Sequence, residues 1–169
     1  LMEFVGIDER LRMSYPHELD GGRRQRVGIA RALALNPDFV VCDEPVSALD
    51  VSIQAQVLNL LKKLQQQKRL TYMFVTHDMS VVRHISDEIC VMYLGQMVEK
   101  CPSKELFKHP LHPYTQALLS AIPSVDIHHP MKREILHGEI ISPVDPKPGC
   151  RFAARCKYAT EACRQPQQQ

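Results

Sequence analysis

The sequence lacks the features that would point to a nucleic acid, a membrane span or an export route. Basic and acidic side chains number 21 and 19, so the net charge is only +2. Domains that bind nucleic acid usually carry a clustered basic face, and we expect no nucleic-acid partner. No apolar run approaches the ~18 residues that a spanning helix needs. The first residues show no basic segment followed by a long apolar stretch, so we predict no signal peptide.

A secreted disulfide framework is also missing, although the chain has six cysteines. Cys42 and Cys90 lie in apolar runs, where free cysteine behaves as a small buried hydrophobe. Cys150, Cys156 and Cys163 lie close together near the end of the sequence. Without a disulfide framework we favour a cytoplasmic location.

The periodicity of apolar residues predicts an α/β fold. Helices are expected within 1–18 and over 23–35, 51–67, 79–85 and 113–121, and strands over 39–42, 72–75, 89–94 and 97–99. The first two strands are short continuous apolar runs, as in buried parallel strands, and the last two form a hairpin. Strand and helix alternate as far as the third strand, which is typical of one α/β layer.

The composition changes near residue 101. Eight of the twelve prolines fall between 102 and 148. We therefore predict a domain over 1–101 and a small Pro-rich extension over 102–169.

Four motifs follow one another in the first part. They are Leu-Asp-Gly-Gly-Arg-Arg-Gln-Arg at 19–26, Asp-Glu-Pro at 43–45, Ser-Ala-Leu-Asp at 47–50 and Thr-His-Asp at 76–78. In this order and spacing they resemble an ABC-type ATPase, read from its signature motif through Walker B and the D-loop to the H-loop. The resemblance implies that 1–101 is the C-terminal part of a P-loop NTPase nucleotide-binding domain that uses ATP and Mg²⁺.

Two acidic residues follow the first predicted strand. Ligands in α/β sheets bind beyond the carboxyl ends of the strands, so Asp43 is expected to hold Mg²⁺. Glu44 is expected to act as the general base on the attacking water. Two solvated acids at a strand end are the competing interpretation, and the neighbouring motifs argue against it.

Two further residues take their expected roles from the resemblance. The family's matching histidine contacts the γ-phosphate and helps to orient the water, and the resemblance assigns this role to His77. The family's D-loop aspartate lies between two such domains, which assigns Asp50 to that interface. Asp50 also precedes a predicted helix and is expected to cap it.

The glycine pair Gly21-Gly22 places backbone N–H groups at a helix N-terminus, where an anion is favoured. In the family this motif binds the ATP of the opposite subunit, so we expect a second ATPase subunit packed head to tail. Asp20 and Arg23 depart from the family pattern Leu-Ser-Gly-Gly-Gln. A carboxylate ~4 Å from a phosphate oxygen is repelled by about 4 kcal/mol at an effective dielectric near 20, so we expect weaker ATP binding.

The sequence contains no Gly-x-x-x-x-Gly-Lys-Ser/Thr, the loop that cradles the phosphates. It begins where the family's helical subdomain is already under way, and we expect a truncated gene, a fragment or a partial record. We also expect apolar sheet surface to be uncovered and the chain alone to be inactive.

The second part resembles the oligopeptide, dipeptide and nickel importers at 91–99, 109–115 and 118–123. This branch implies transmembrane permease subunits as partners at the cytoplasmic face of the membrane, and a solute-binding protein indirectly. Some members hold an iron–sulfur cluster on four terminal cysteines. Here Cys150, Cys156 and Cys163 supply three thiolates. Three alternatives therefore stay open for these cysteines: an iron–sulfur cluster, a zinc site or no metal.

The leading interpretation is the ATP-hydrolysing, energy-coupling subunit of a peptide importer. A non-catalytic remnant of such a subunit is the first alternative. An ABC ATPase outside transport is the second, and the importer-like extension argues against it.

Overall fold

The division of the chain falls inside a helix. In the computed structural model, which describes residues 1–122, 136, 138, 144 and 148–166, Leu1–Val81 form one unit and Val82–Gln169 another. These are the N-terminal and C-terminal units below. The predicted boundary near residue 101 stays a prediction.

Two parallel strands form the sheet of the N-terminal unit. Strand β1 (Phe39–Asp43) pairs with β2 (Thr71–Val75), and Asp43 lies opposite Val75. Helix α2 (Val51–Lys68) joins them, since parallel neighbours need a long crossover. The buried face of α2 consists of Val57, Leu58, Leu61 and Leu64. The predicted strands and helix are confirmed, with β1 extended to include Asp43, β2 beginning one residue earlier and α2 ending one residue later.

Helix α1 (Gly21–Ala32) packs against α2. It begins two residues before the predicted start because Asp20 accepts a hydrogen bond from the backbone of Arg23 and caps it. It ends before the predicted residue 35, and Asn36 then takes a positive φ of 48°. The glycine pair is therefore the first turn of the helix.

The prediction of an amphipathic helix within 1–18 is wrong. Glu9–Met13 and Pro16–Glu18 form short 3-10 helices instead, and turns precede them. Val5 and Ile7 are both buried, a spacing of two that no α-helical face accommodates. Gly6 between them has a φ of 67°, outside the helical range.

One face of the β1–β2 sheet is exposed. Phe39, Val41, Met73 and Val75 project from it, and each keeps between 43% and 54% of its surface in solvent. The expectation of uncovered apolar sheet surface is therefore confirmed for the N-terminal unit.

The C-terminal unit is built on a hairpin. Strands β3 (Glu88–Tyr93) and β4 (Gln96–Pro102) pair antiparallel in their own sheet. The expectation that β3 extends the β1–β2 layer is wrong. Leu94 and Gly95 have φ of 46° and 77°, and two residues with positive φ form the tight turn that folds a strand back on its neighbour.

The remaining helices of the described residues are short. They are α3 (Met79–Ile85), α4 (Ser103–Lys108), α5 (Pro113–Ser120) and the 3-10 helices Ala153–Arg155 and Glu161–Arg164. Helix α4 is absent from the predicted elements. Among the described residues no helix is both long and apolar enough to cross a membrane.

An aromatic cluster completes the core of the C-terminal unit. Tyr93, Tyr114 and Phe152 pack with ring centroids 4.7–5.7 Å apart, and Phe152 is 1% exposed. The prediction that Cys90 is buried is wrong, because it projects from the outer face of β3, whereas Cys42 is buried as predicted.

Candidate functional site

The carboxyl ends of β1 and β2 bring Glu44 and His77 together. The backbone N–H of Glu44 donates to the carbonyl of Val75 at 2.9 Å, which extends the pairing of the strands by one residue. Its Oε1 then lies 2.8 Å from Nδ1 of His77. That hydrogen bond, followed by the charge of Glu44, raises the pKa of His77. The two residues predicted to be catalytic thus form one pair.

Glu44 combines a strained backbone with an unsatisfied side chain. Its φ is 46°, a left-handed conformation that costs a non-glycine residue about 1–2 kcal/mol. Its Oε2 is buried with no hydrogen-bond partner among the described residues, and buried carboxylate oxygens are normally satisfied. Strain and an open acceptor at one residue are typical of a functional site. The free oxygen can accept a hydrogen bond from a water molecule.

Asp43 precedes this pair at the exposed end of β1. Its carboxylate takes part in no hydrogen bond or ion pair with the described residues. Mg²⁺ is held in proteins by one or two carboxylates, with phosphate and water oxygens completing the shell. The donor chemistry of Asp43 fits this ion, and Asp43 is the residue that would hold it.

The charge of Asp20 is compensated where it caps α1. Oδ1 accepts from the backbone N–H of Arg23 at 2.7 Å, and Oδ2 lies 3.3 Å from Nε of the same arginine. Arg23 therefore offsets part of the charge of Asp20. A cleft of about 310 Å³ adjoins this end of the helix, with Gly22, Arg23 and Arg26 in its wall.

The glycine pair has a packing role that the motif alone did not predict. A Cβ on Gly22 would lie 2.7 Å from Cγ2 of Ile53, and one on Gly21 would lie 3.2 Å from Cδ2 of Leu49. A side chain at Gly22 would therefore require Ile53 to shift, whereas one at Gly21 would require Leu49 to move by only a few tenths of an ångström. The pair serves helix packing whether or not an anion binds its N–H groups.

Asp50 caps α2 as predicted. Its Oδ1 accepts from the backbone N–H of Ile53 at 3.0 Å. The role of Asp50 between two subunits stays a prediction. Gln54, which the motifs did not single out, donates from Nε2 to the carbonyls of Val46 and Leu49, both at 3.0 Å. The signal available was its position four residues after the capping aspartate.

The three terminal cysteines are free thiols in the C-terminal unit. The backbone N–H of Cys150 donates to the carbonyl of Cys163 at 2.8 Å. A hydrogen bond with the side chain of Thr160 lowers the pKa of Cys163. Within the described part of the chain, no three metal-ligating side chains are grouped to hold an ion. The iron–sulfur and zinc alternatives therefore have no support from the structure.

The N-terminal unit, with an acidic pair and a histidine beyond paired parallel strands, has the architecture of part of an ABC ATPase nucleotide-binding domain. The structure of the ATP-binding cassette MJ0796, a dimer in a post-hydrolysis state bound to ADP and Pi, matches with a TM-score of 0.53 and 35% identity. The match covers 60% of this chain and 44% of that one.

Sequence comparisons narrow the class. The family model of the ABC transporter matches 1–47, and the model of the oligopeptide/dipeptide transporter C-terminal region matches 98–163. The putative oligopeptide transport ATP-binding protein YkfD of Bacillus subtilis is 58% identical over 96% of this chain and 50% of its own length. The dipeptide transport ATP-binding protein DppF of Haemophilus influenzae is 53% identical over 99% and 51%.

The chain therefore belongs to the ATP-binding proteins of ABC transporters, in the oligopeptide/dipeptide branch. It spans about half the length of the curated relatives it matches.

Proposed function

We propose that this chain carries the water-activating part of an ATP-binding subunit that energises peptide import. The observation that supports this most directly is the contact of Glu44 with His77 at the carboxyl ends of β1 and β2. The names of the relatives, which are oligopeptide and dipeptide transport ATP-binding proteins, support the class of transported solute.

Glu44 is the proposed general base. His77 holds Oε1, so the carboxylate is oriented and Oε2 remains to accept a proton from water. The left-handed backbone aims the side chain back toward β2. Proton transfer to a positioned side chain contributes about 10²–10⁴-fold to a rate.

His77 is the proposed phosphate contact. Its Nδ1 faces Glu44, which leaves Nε2 to donate to an anionic oxygen. The raised pKa keeps the ring charged to a higher pH than usual, and a charged donor binds phosphate oxygen more strongly. Held at Asp43, Mg²⁺ would neutralise charge on the phosphate oxygens.

The proposed assembly has more than one chain. The N–H groups of the first turn of α1 would bind ATP held by a second subunit, packed head to tail, and Asp50 would lie at the same interface. Permease subunits would hold the pair at the cytoplasmic face of the membrane. A solute-binding protein on the opposite side of the membrane would deliver the peptide to the permease. The dimeric form of MJ0796 supports the pairing of two ATP-binding subunits.

ATP hydrolysis by the whole protein tests the proposal. Glu44→Gln should lower kcat by about 10²-fold or more, because it removes the base, while ATP binding is retained. Glu9→Gln, an exposed acid on a 3-10 helix, is the matched control and should leave kcat unchanged. Full activity in Glu44→Gln would reject Glu44 as the base.

A non-catalytic remnant is the second candidate. The altered signature residues Asp20 and Arg23 favour it. These 169 residues alone are expected not to hydrolyse ATP. The whole protein decides between the two candidates, because a remnant binds its permease partners but shows no ATP hydrolysis with Glu44 intact.

A further inference from the structure

The loop over 44–50 connects Glu44 at the end of β1 with Asp50 at the start of α2. The side chain of Gln54, on α2, binds this loop. Gln54 is half-buried. Its amide Nε2 donates to the carbonyls of Val46 and Leu49, each at 3.0 Å. These two carbonyls lie on either side of the middle of the loop. A single side-chain group therefore binds two carbonyls of a loop that lies between β1 and α2.

The chemistry of this clamp requires an amide. A side-chain NH₂ carries two donors on one nitrogen and no charge. Glutamate has the same shape but offers only acceptors to two carbonyl oxygens. Leucine fills similar space and offers neither donor. Glutamine is thus the residue of this size that satisfies both carbonyls.

Other bonds transmit the clamp to both ends of the loop. Ser47 Oγ donates to the carbonyl of Glu44 at 3.1 Å, and the backbone N–H of Leu49 donates to the carbonyl of Val46 at 3.1 Å. At the far end, the N–H of Gln54 donates to the carbonyl of Asp50 at 2.8 Å. The strained φ of Glu44 persists only if the loop after it is held in place.

We propose that Gln54 is a positioning residue that fixes the loop over 44–50, so that the carboxylate of Glu44 is held against His77 and Asp50 stays at the start of α2. The proposal rests on the proposed function. In this proposal Gln54 contacts neither the nucleotide nor the attacking water, and it acts through the backbone of the loop. Its loss should therefore lower the rate of the chemical step and spare nucleotide binding.

The test compares Gln54→Leu and Gln54→Glu with the control Gln66→Leu, an exposed glutamine on the same helix. In the whole protein, both Gln54 variants should lower kcat about tenfold or more with KM for ATP within about twofold, because small misplacement of a reacting group is costly. Hydrogen exchange of the amides over 44–50 should accelerate about tenfold, since two hydrogen bonds to the loop are lost. Exchange in the rest of α2 should not change.

Each other result overturns the inference. Faster exchange in the loop with wild-type kcat would mean that Gln54 orders the loop without positioning Glu44. Unchanged exchange would mean that the clamp does not hold the loop. Exchange that rises throughout α2 would mean general unfolding, and Gln54→Glu, which keeps the side-chain shape, then decides. If Glu44→Gln hydrolyses ATP like the wild type, the proposed function fails, and loop exchange alone still tests the clamp.

Discussion

Two glutamates beside histidines, one in each unit, differ in how their carboxylate oxygens are used. Glu44 binds one histidine ring, and its other oxygen has no partner among the described residues. Glu99, on β4, accepts from the backbone N–H groups of Leu111 at 2.9 Å and His112 at 3.0 Å, one with each oxygen. Glu99 thus fixes the loop before α5, whereas Glu44 keeps capacity for a further ligand.

The neighbouring histidines differ in the same way. The hydrogen bond to Glu44 raises the pKa of the exposed His77. Burial lowers the pKa of His112, although the charge of Glu99 opposes this. His112 Nδ1 accepts from the backbone N–H of Tyr114 at 3.1 Å and so caps α5 in its neutral form. A carboxylate beside a histidine therefore predicts a charged pair only where the ring stays in water.

The largest expected effect that separates the two glutamates is on stability. Glu99→Ala should lower the free energy of unfolding by about 2 kcal/mol, because two backbone N–H groups lose a charged acceptor that is partly exposed. Glu44→Ala should change it far less, since its exposed pair contributes little. Chemical denaturation of both variants measures this. Equal destabilisation by the two variants would contradict this difference between Glu99 and Glu44.

Titration of the two histidines by NMR should give a pKa above the ordinary value of 6.5 for His77 and a pKa below it for His112. The stabilising contribution of His77 is present below pH 6.5 and is lost as the pH rises through its folded pKa. That of His112 is present above 6.5 and lost as pH falls through its folded pKa. Glu44→Gln should lower the pKa of His77, and Glu99→Gln that of His112. If the pKa of His77 is unchanged in Glu44→Gln, the interaction between Glu44 and His77 is contradicted.

The smallest expected effect concerns Asp20, a third carboxylate whose partner lies within its own helix. Asp20→Ser keeps the cap of α1 and removes one negative charge from the proposed nucleotide surface. Because Arg23 already offsets that charge, ATP affinity of the assembled pair should rise only about fivefold, the effect of about 1 kcal/mol for unit charges ~4 Å apart in water. Unchanged affinity in an equilibrium binding assay would show that Asp20 does not face the nucleotide.

The sequence predicted the parts of the site that follow from strand ends and caps. Asp43, Glu44 and His77 stand directly after apolar runs, and parallel strands bring such positions together. Asp50 and Asp20 precede helices and cap them. These relations are local or set by one pairing of strands, so the residue order suffices to infer them.

The features that were missed depend on contacts that leave no period in the sequence. The clamp of Gln54 joins a side chain to two carbonyls across a loop. The carboxylate of Glu99 reaches backbone 12 and 13 residues away. The pairing of β3 with β4 in a hairpin was predicted, but the separation of this hairpin from the β1–β2 sheet was not, because a short apolar strand fits a parallel layer or a hairpin equally well.

The close approach at Gly22 has a mechanical consequence. Because a Cβ at Gly22 would lie 2.7 Å from Cγ2 of Ile53, the backbone of α1 lies directly against a side chain of α2, and we expect the amino ends of the two helices to move together. A displacement of the first turn of α1 would then reach the start of α2 through the side chain of Ile53. The smallest residue in the motif would make the contact between the two helices stiff.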